Sequence, residues 1–506
     1  MDSRLRAVCD LMVAGVREEA GLHEYDGQIQ DLSPEGVQRG LGRVEELTRQ
    51  GERLPDPHDE AHLAAFEDYL RVLYGELELH RRSPLLHLEA LDLACYDREY
   101  APARRRAEAK RRHLALWPDA VANAIASLDA LSAPVAEALL PAVEGLAEGI
   151  PADAGELREP AVTAHRRLVA HLERAAERGE PDAALGAHGL ARLMGSSEAM
   201  QLDLARVAEQ ADQERNRLVA MLEEAARRID PERPPLDLAR YLVLDHPDID
   251  GVLDEARRCT QEAITFTRTR NLVPHIDGDC RVGLAPESRR WAMAMMTWAA
   301  PEERDAPSWY HITPPDPSWP TDDVEEWLEV FSATTLPAIT VHEVAPGHFA
   351  HGRALRRAST QVRRILHSST FGEGWAHYGE ELCVEEGFLA DDPRFAFGVY
   401  LEALVRVTRL ACAIGIHTGA MTVNEAARRF SEDTNLSGPA ALSEARRATF
   451  DPTYGRYTWG KLVLRELRER ARARWGTTYS HLRFHTALLD LGSPPLGLLD
   501  TALDRG

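Results

Sequence analysis

The sequence lacks the features that identify membrane-spanning, exported and disulfide-rich proteins. Its 506 residues contain no uninterrupted run of about 18 apolar residues, and the amino terminus has no apolar core as long as a signal peptide needs. The six cysteines are scattered without a Cys-x-x-Cys pair, so neither a disulfide framework nor a cysteine zinc site is indicated. We therefore expect a cytoplasmic protein without a membrane partner.

Positively charged residues are outnumbered by negatively charged ones. Lysine and arginine together number 59 against 82 aspartates and glutamates, which gives a formal net charge of −23. General nucleic-acid binding requires a basic surface, so we expect no nucleic-acid partner. The 44% hydrophobic and 28% charged residues are typical of a globular protein with an ample core.

The first half of the chain shows helical periodicity and no chemical motif. Ser33 followed by Pro34 is typical of a helix start, and Val37, Leu41 and Val44 then recur at helical spacing. Short aromatic and β-branched stretches at 282–284 and 309–313 predict strands. Further helical runs are predicted over 121–131, 162–176, 202–229 and 252–269.

A histidine and glutamate pair, His342 and Glu343, is followed by a second histidine, His348. Zinc hydrolases of the HExxH kind place two histidines four residues apart on one helix face, and the intervening glutamate acts on a metal-bound water. Here the histidines are six apart, and six steps of about 100° would put them on nearly opposite faces. Pro346 and Gly347 lie between them, so we predict that the helix is distorted there.

A third ligand is available 25 residues after His348, in the segment FGEGWAHYGEEL. In glutamate-type zinc peptidases a carboxylate from a following helix completes the site and leaves one position open for water. Glu373 is the candidate, in competition with Glu380 and Glu381. Glu380 lies two turns further on, on roughly the same face, and is also a candidate for orienting a ligand histidine.

The two motifs, HEVAPGH and EGWAHY, resemble the HExxPGH and EGWAxY pair of the bacterial domain-of-unknown-function-885 proteins. Those proteins are similar to helical zinc peptidases of the angiotensin-converting-enzyme and oligopeptidase clan. The specific likeness covers 286–499 and includes RLACAIGIHTG, YTWGKLVLRELR and FHTALLDLGSPPLGLL. It implies a mainly α-helical, two-lobed fold with a small sheet lining a deep central cleft. We place the N-terminal helical lobe at 1–240 and the catalytic lobe at 241–506, joined as one continuous unit.

The resemblance also implies how the site works. His342, His348 and Glu373 would bind one Zn²⁺, whose water would have a pKa of roughly 7, and Glu343 would take its proton and pass it to the leaving amine. Two imidazoles and a carboxylate favour zinc, although manganese, iron or cobalt could occupy the same ligands. Tyr457 would donate to the oxyanion of the tetrahedral intermediate, with Tyr454 one turn before it.

The resemblance also implies two pocket residues, His417 and Arg409. Arg409 would pair with a carboxylate of the substrate. Each has the alternative of a buried structural role. His377, one turn after Glu373, stands where related clans often carry a carboxylate that binds a zinc histidine. It either faces the site and donates to substrate or packs against Trp375 or Phe371.

Three positions depart from the related proteins. Thr313 stands where asparagine is usual, His377 replaces the carboxylate, and Ala413 replaces an acidic residue. We predict a zinc-dependent hydrolase that cleaves an amide or peptide bond in a small-molecule or short peptide substrate. Because of these departures, two alternatives remain: the same metal scaffold used for tailoring a small metabolite, or an inactive peptidase-like binding protein.

Overall fold

Helices make up most of the chain, as the sequence predicts. The computed structural model describes residues 1–286, 289–290, 292–303, 305–316 and 318–506. The helices before the sheet are α1 (Ser3–Asp10), α2 (Val13–Glu18), α3 (Pro34–Gln50), α4 (Pro57–Leu70), α5 (Leu79–Arg82), α6 (Pro84–Leu91), α7 (Ala103–Ala115), α8 (Trp117–Ser127), α9 (Ala133–Gly145), α10 (Arg158–Arg178), α11 (Gly186–Ser197), α12 (Leu204–Ile229), α13 (Pro235–Leu242) and α14 (Val252–Thr269).

The remaining helices follow the sheet and carry all the candidate site residues. They are α15 (Thr321–Leu328), α16 (Leu336–Glu343), α17 (His348–Leu355), α18 (Gln361–Ile365), α19 (Ser369–Glu385), α20 (Pro393–His417), α21 (Val423–Asp433), α22 (Gly438–Phe450), α23 (Arg456–Trp475), α24 (His481–Leu489) and α25 (Asp500–Arg505). A π-helical segment, Arg71–Glu76, continues α4. Short 3₁₀ turns lie at His23–Tyr25, Ala94–Tyr96, Leu146–Gly149, Gly155–Leu157, Glu329–Phe331, Gly476–Thr478 and Leu496–Leu498.

A small sheet precedes the motif helices. Its strands are β1 (Cys280–Leu284), β2 (Ala294–Thr297) and β3 (Ser308–Ile312), in the order β1-β3-β2. β3 is parallel to β1, with Val282 opposite Tyr310, and antiparallel to β2, with Met296 opposite Tyr310. The predicted strands at 282–284 and 309–313 are thus confirmed, whereas the sequence analysis did not predict β2.

Two long helices near the site, α19 and α20, have well-formed starts. The Ser368 hydroxyl accepts a hydrogen bond from the Phe371 amide at the start of α19, and Asp392 caps α20 ahead of Pro393. Such caps satisfy amides that have no partner within the helix. Both helices are buried over most of their length, so the charged residues that they carry need partners inside the protein.

The largest hydrophobic cluster joins α12 to the carboxy-terminal helices. It includes Leu218 and Leu222 of α12 together with Leu404 and Val407 of α20. The cluster therefore crosses residue 240, where the sequence analysis divides the two lobes, and that division stays a prediction.

Helices α19 and α23 approach each other closely at a pair of glycines. A Cβ atom built on Gly374 would lie 2.5 Å from the Gly460 Cα, and one built on Gly460 would lie 2.2 Å from the Thr370 carbonyl oxygen. No side chain can replace hydrogen at either position without moving a backbone. This contact fixes α23, which carries Tyr457, against the helix that carries Glu373.

Across the described ranges, no helix combines the length and the apolar character needed to cross a membrane.

Candidate metal centre

The helix that carries the first motif is interrupted between the two histidines, as predicted. α16 ends at Glu343 and α17 begins at His348. The amides of Gly347 and Ala350 donate to the carbonyls of Val341 and Val344, both at 3.1 Å, and so span six residues instead of the four of an α-helix. Two residues are looped out, and the helical path then resumes. His342 and His348 consequently face the same side despite their six-residue spacing.

The second motif holds this loop in place. The indole nitrogen of Trp375 donates to the Pro346 carbonyl oxygen at 2.9 Å, and the Ala345–Pro346 peptide is cis. Gly347 is required at the end of the loop, because a Cβ atom there would lie 1.8 Å from the His342 carbonyl oxygen. The two motifs therefore form one structural unit.

The three predicted metal ligands converge. The Nε2 atoms of His342 and His348 lie 3.4 Å and 3.3 Å from the Glu373 Oε2 atom, and all three ligand atoms are within 4.8 Å of one another. Ligands about 2.0–2.1 Å from a tetrahedral zinc ion are separated by roughly 3.3–3.4 Å. The buried Glu373 Oε2 atom has no hydrogen-bond partner among the described residues. These donor atoms therefore fit a metal ion.

The two competing carboxylates serve other partners. Glu380 Oε1 accepts a hydrogen bond from His342 Nδ1 at 2.6 Å, on the opposite side of the ring from Glu373. Glu381 lies 2.6 Å from the buried Lys461 ammonium group and 2.7 Å from Arg217. The geometry thus favours Glu373 as the third ligand, and it favours Glu380 as the group that orients His342.

His377 contacts the carboxylate of Glu380. Its Nδ1 atom lies 3.2 Å from Glu380 Oε2, and the side chain is fully buried. Burial lowers the pKa of His377 to about 4, and the charge of Lys461 acts in the same direction. A neutral imidazole therefore contacts Glu380, the carboxylate that also contacts His342, and the catalytic role of His377 stays a prediction.

The charges of the cluster depend on one another. Burial opposes the charged form of His342, but the nearby Glu373 carboxylate and the hydrogen bond to Glu380 outweigh it and raise its pKa to about 9. Burial likewise opposes ionisation of Glu373, yet the charge of His348 and the closeness of both histidine rings hold its pKa well below the ordinary value. These shifts favour an ionised Glu373 carboxylate beside a protonated His342 imidazole.

Glu343 is the last residue of α16 and follows His342 directly. Its side chain is partly exposed, and none of the described residues donates a hydrogen bond to it. A partly exposed carboxylate that directly follows a candidate ligand histidine is compatible with the predicted role of general base.

Tyr457 contacts the candidate ligand histidine His342, whereas Arg409 contacts Tyr457. The Tyr457 ring lies 6.1 Å from the His342 ring, with an interplanar angle of 27°. The Arg409 guanidinium lies 5.7 Å from the Tyr457 ring centre and forms a two-fold ion pair with Glu444, at 2.7 Å and 2.6 Å. Its charge is therefore already neutralised, which argues against the predicted contact with a substrate carboxylate.

His417 is satisfied by backbone groups and makes no contact with the ligand cluster. Its Nδ1 atom accepts from the Leu185 amide at 3.2 Å, and its Nε2 atom lies 2.8 Å from the Ala448 carbonyl oxygen. The ring joins the end of α20 to α22, so the structural alternative describes this residue better than the predicted pocket role. Tyr454, also fully buried, donates to the Glu444 carbonyl oxygen at 3.2 Å.

Two of the departures from the family pattern are buried and internally satisfied. The Thr313 amide donates to the Met293 carbonyl at 2.9 Å, and its hydroxyl donates to the Ala292 carbonyl. Ala413 lies in a hydrophobic cluster beside Phe430 and Tyr454.

Sequence reasoning missed Arg406. This side chain is buried on α20 and its Nη1 atom donates to Glu380 Oε2 at 3.2 Å. The available signal was a charged residue within the apolar run of α20, since a buried charge requires a partner.

Comparison with known proteins gives a family and a fold. Residues 16–503 match the family described as "Bacterial protein of unknown function (DUF885)". No curated protein matches the chain.

Two solved structures share the fold. One is "a putative lipoprotein of unknown function from Shewanella oneidensis", with a TM-score of 0.79 and 18% identity over 98% of this chain and 97% of that chain. The other is "the putative lipoprotein from Colwellia psychrerythraea", with a TM-score of 0.78 and 16% identity over 100% of this chain and 99% of that chain. At these identities the likeness establishes the fold alone.

Proposed function

The chain belongs to the bacterial family of unknown function DUF885, and from the geometry of its site we propose that it is a metal-dependent hydrolase of amide or peptide bonds. One observation carries the proposal. His342, His348 and Glu373 bring three ligand atoms together, and the Glu373 Oε2 atom among them is buried without a hydrogen-bond partner in the described chain. The substrate class is a small molecule or short peptide.

These three residues would hold one divalent ion, and two imidazoles with one carboxylate favour zinc. When bound, the ion supplies a Lewis acid that polarises the scissile carbonyl and makes a coordinated water molecule more acidic. Glu380 accepts from His342 Nδ1 and so directs the lone pair of Nε2 toward Glu373 and His348.

The other residues of the site would move protons and stabilise charge. Glu343 accepts the proton of the attacking water and gives it to the leaving amine. Tyr457, whose ring lies beside the His342 ring, donates its hydroxyl to the developing oxyanion. Burial, followed by the nearby charge of Glu373, raises the pKa of Tyr457, so the phenol keeps the proton that it must donate.

The same proposal includes a two-lobed fold with a central cleft and a cytoplasmic location. The two-lobed arrangement rests on the resemblance of the two motifs to those of helical zinc peptidases. All six cysteines are free, which is usual in a reducing compartment. The location remains a proposal, because the two similar structures are described as lipoproteins.

Metal content tests the proposal first. Elemental analysis of protein purified without added metal should give about one equivalent of zinc for the wild type, and His348→Ala should lose it because only two ligands remain. A wild type that binds no metal, even after zinc is supplied, would contradict the proposal.

Turnover tests the role of Glu343. Glu343→Gln keeps the ligand set, so it should retain zinc while hydrolysis of peptide or amide substrates falls by about 10²–10⁴-fold. Zinc content is the control for folding of the variant. Undiminished hydrolysis would show that another group takes the proton.

A further inference from the structure

Four side chains beside the candidate metal centre contact one another in a ring: His342, Glu380, Arg406 and Tyr457. Glu380 accepts from His342 Nδ1 at 2.6 Å through one oxygen and from Arg406 at 3.2 Å through the other. The Arg406 guanidinium lies 5.9 Å from the centre of the Tyr457 ring, and that ring lies 6.1 Å from the His342 ring. Arg406 therefore contacts both the residue that orients a metal ligand and the residue that lies over it.

We propose that Arg406 is a positioning residue that holds Glu380 and Tyr457 on either side of His342. This inference rests on the proposed function, since it concerns how His342 is presented to a metal ion. Arg406 acts through Glu380 and Tyr457 and touches no ligand atom itself.

Charge balance explains why arginine is needed. Glu380 is fully buried, and a buried carboxylate is strongly destabilised unless a cation accompanies it. Arg406 is the only lysine or arginine of the described chain in ion-pair contact with Glu380. The other partner of Glu380 Oε2, His377, is neutral because burial lowers its pKa to about 4. Without Arg406, the Glu380 carboxylate would have no permanent cation beside it.

The planar shape of the Arg406 guanidinium is needed as well as its charge. The guanidinium is planar, so it can donate to a carboxylate in its plane while its face covers an aromatic ring. A lysine ammonium group supplies charge but cannot stack in this way. Arg406 is 9% exposed, so little water is available to replace either contact.

Arg409 provides a matched control on the same helix. Its guanidinium lies 5.7 Å from the centre of the same Tyr457 ring, but it pairs with Glu444 and not with Glu380. A general effect of positive charge or of packing on Tyr457 would therefore appear in variants of both arginines. An effect transmitted through Glu380 would appear in variants of Arg406 alone.

The test measures zinc affinity of the full-length protein by competition with a chelator of known affinity. Arg406→Met should weaken zinc binding by about 10–100-fold, the usual effect of losing a partner of a ligand histidine, and Arg406→Lys should lose less. Arg409→Met should keep the wild-type affinity. The visible spectrum of the cobalt-substituted protein should change in Arg406→Met and stay unchanged in Arg409→Met, because only the former lets the His342 ring turn.

A double variant shows whether Arg406 acts through Glu380. In a Glu380→Gln background, Arg406→Met should cause no further loss of zinc affinity, because the contact that it removes is already gone. The double variant also removes both charges together, so it decides the question if Arg406→Met alone does not fold. Additive losses, or equal losses in Arg406→Met and Arg409→Met, would overturn the inference.

The outcomes separate this inference from the proposed function. A wild type that binds zinc together with an Arg406→Met variant of equal affinity would refute the inference and leave the hydrolase proposal intact. A wild type that binds no zinc would refute both.

Discussion

The imidazole of His342 lies between two carboxylates. Glu380 lies at its Nδ1 atom and Glu373 at its Nε2 atom, at 2.6 Å and 3.4 Å. A metal ion takes the place of the proton on Nε2, because only the neutral ring can act as a ligand. Metal binding and protonation of this one residue therefore compete.

This competition predicts a pH dependence of metal affinity. The pKa of His342 is raised to about 9, so below that pH each unit of acidification should weaken binding by about tenfold. The same shift stabilises the metal-free fold fully below the unfolded pKa of 6.5, and this contribution is lost as the pH rises through about 9. Affinities measured in zinc buffers between pH 6 and 8 would check the slope. A flat profile would mean that the ring is already neutral.

At the scale of the helix, the glycine pair between α19 and α23 sets the distance between Glu373 and Tyr457. Gly460→Ala should destabilise the fold by about 3 kcal/mol or more, because its Cβ would meet the Thr370 carbonyl oxygen at 2.2 Å. A Cβ atom on Gly42, in α3, would have no neighbouring atom within 4 Å, and Gly42→Ala should stabilise by about 0.5–1 kcal/mol. Denaturant unfolding of both variants compares them, and equal stabilities would contradict the predicted packing.

Periodicity predicted elements well where the chain is long and regular. The predicted helix at 252–269 coincides with α14, and the predicted run at 202–229 differs from α12 by two residues. β2 was missed because its four residues, AMMT, show no alternation of polar and apolar side chains. Short elements depend on neighbouring strands, which a single sequence does not reveal.

Within the site, the motifs predicted which three residues come together, but they did not predict the side chains that contact those residues. Pro346 and Gly347 predicted the break between His342 and His348, and the helical repeat put Glu380 on the face of Glu373. The partner of Arg409 and the contacts of Arg406 depend on which helix lies opposite α20, and no residue pattern encodes that. His417 was assigned to the pocket from the family resemblance, and its two backbone partners, near Leu185 and Ala448, are equally invisible in the residue pattern.

At the scale of the whole molecule, the candidate metal centre joins two consecutive helices to a third that follows them and lies beside a fourth from near the end of the chain. His342 comes from α16, His348 from α17 and Glu373 from α19, with Tyr457 of α23 above them. An ion that binds only the folded arrangement stabilises the whole chain.

Thermal unfolding should therefore respond to metal. Free zinc at about 100 times the dissociation constant adds about 2.7 kcal/mol to the free energy of unfolding. The melting midpoint should fall when a chelator is added to the wild type, and it should be insensitive to chelator in Glu373→Gln. A wild-type midpoint that ignores both zinc and chelator would indicate a scaffold without a metal.

The looped-out residues between α16 and α17 have a consequence for how such sites are recognised in genomes. Filters that require two histidines four positions apart count residues along the chain, whereas an ion responds to the separation of ring nitrogens in space. Because the hydrogen bonds of Gly347 and Ala350 skip two residues, the six-residue spacing here gives the spatial result of a four-residue one. A search that permits a Pro-Gly insertion inside the HExxH pattern would retrieve chains of this kind that a fixed pattern discards.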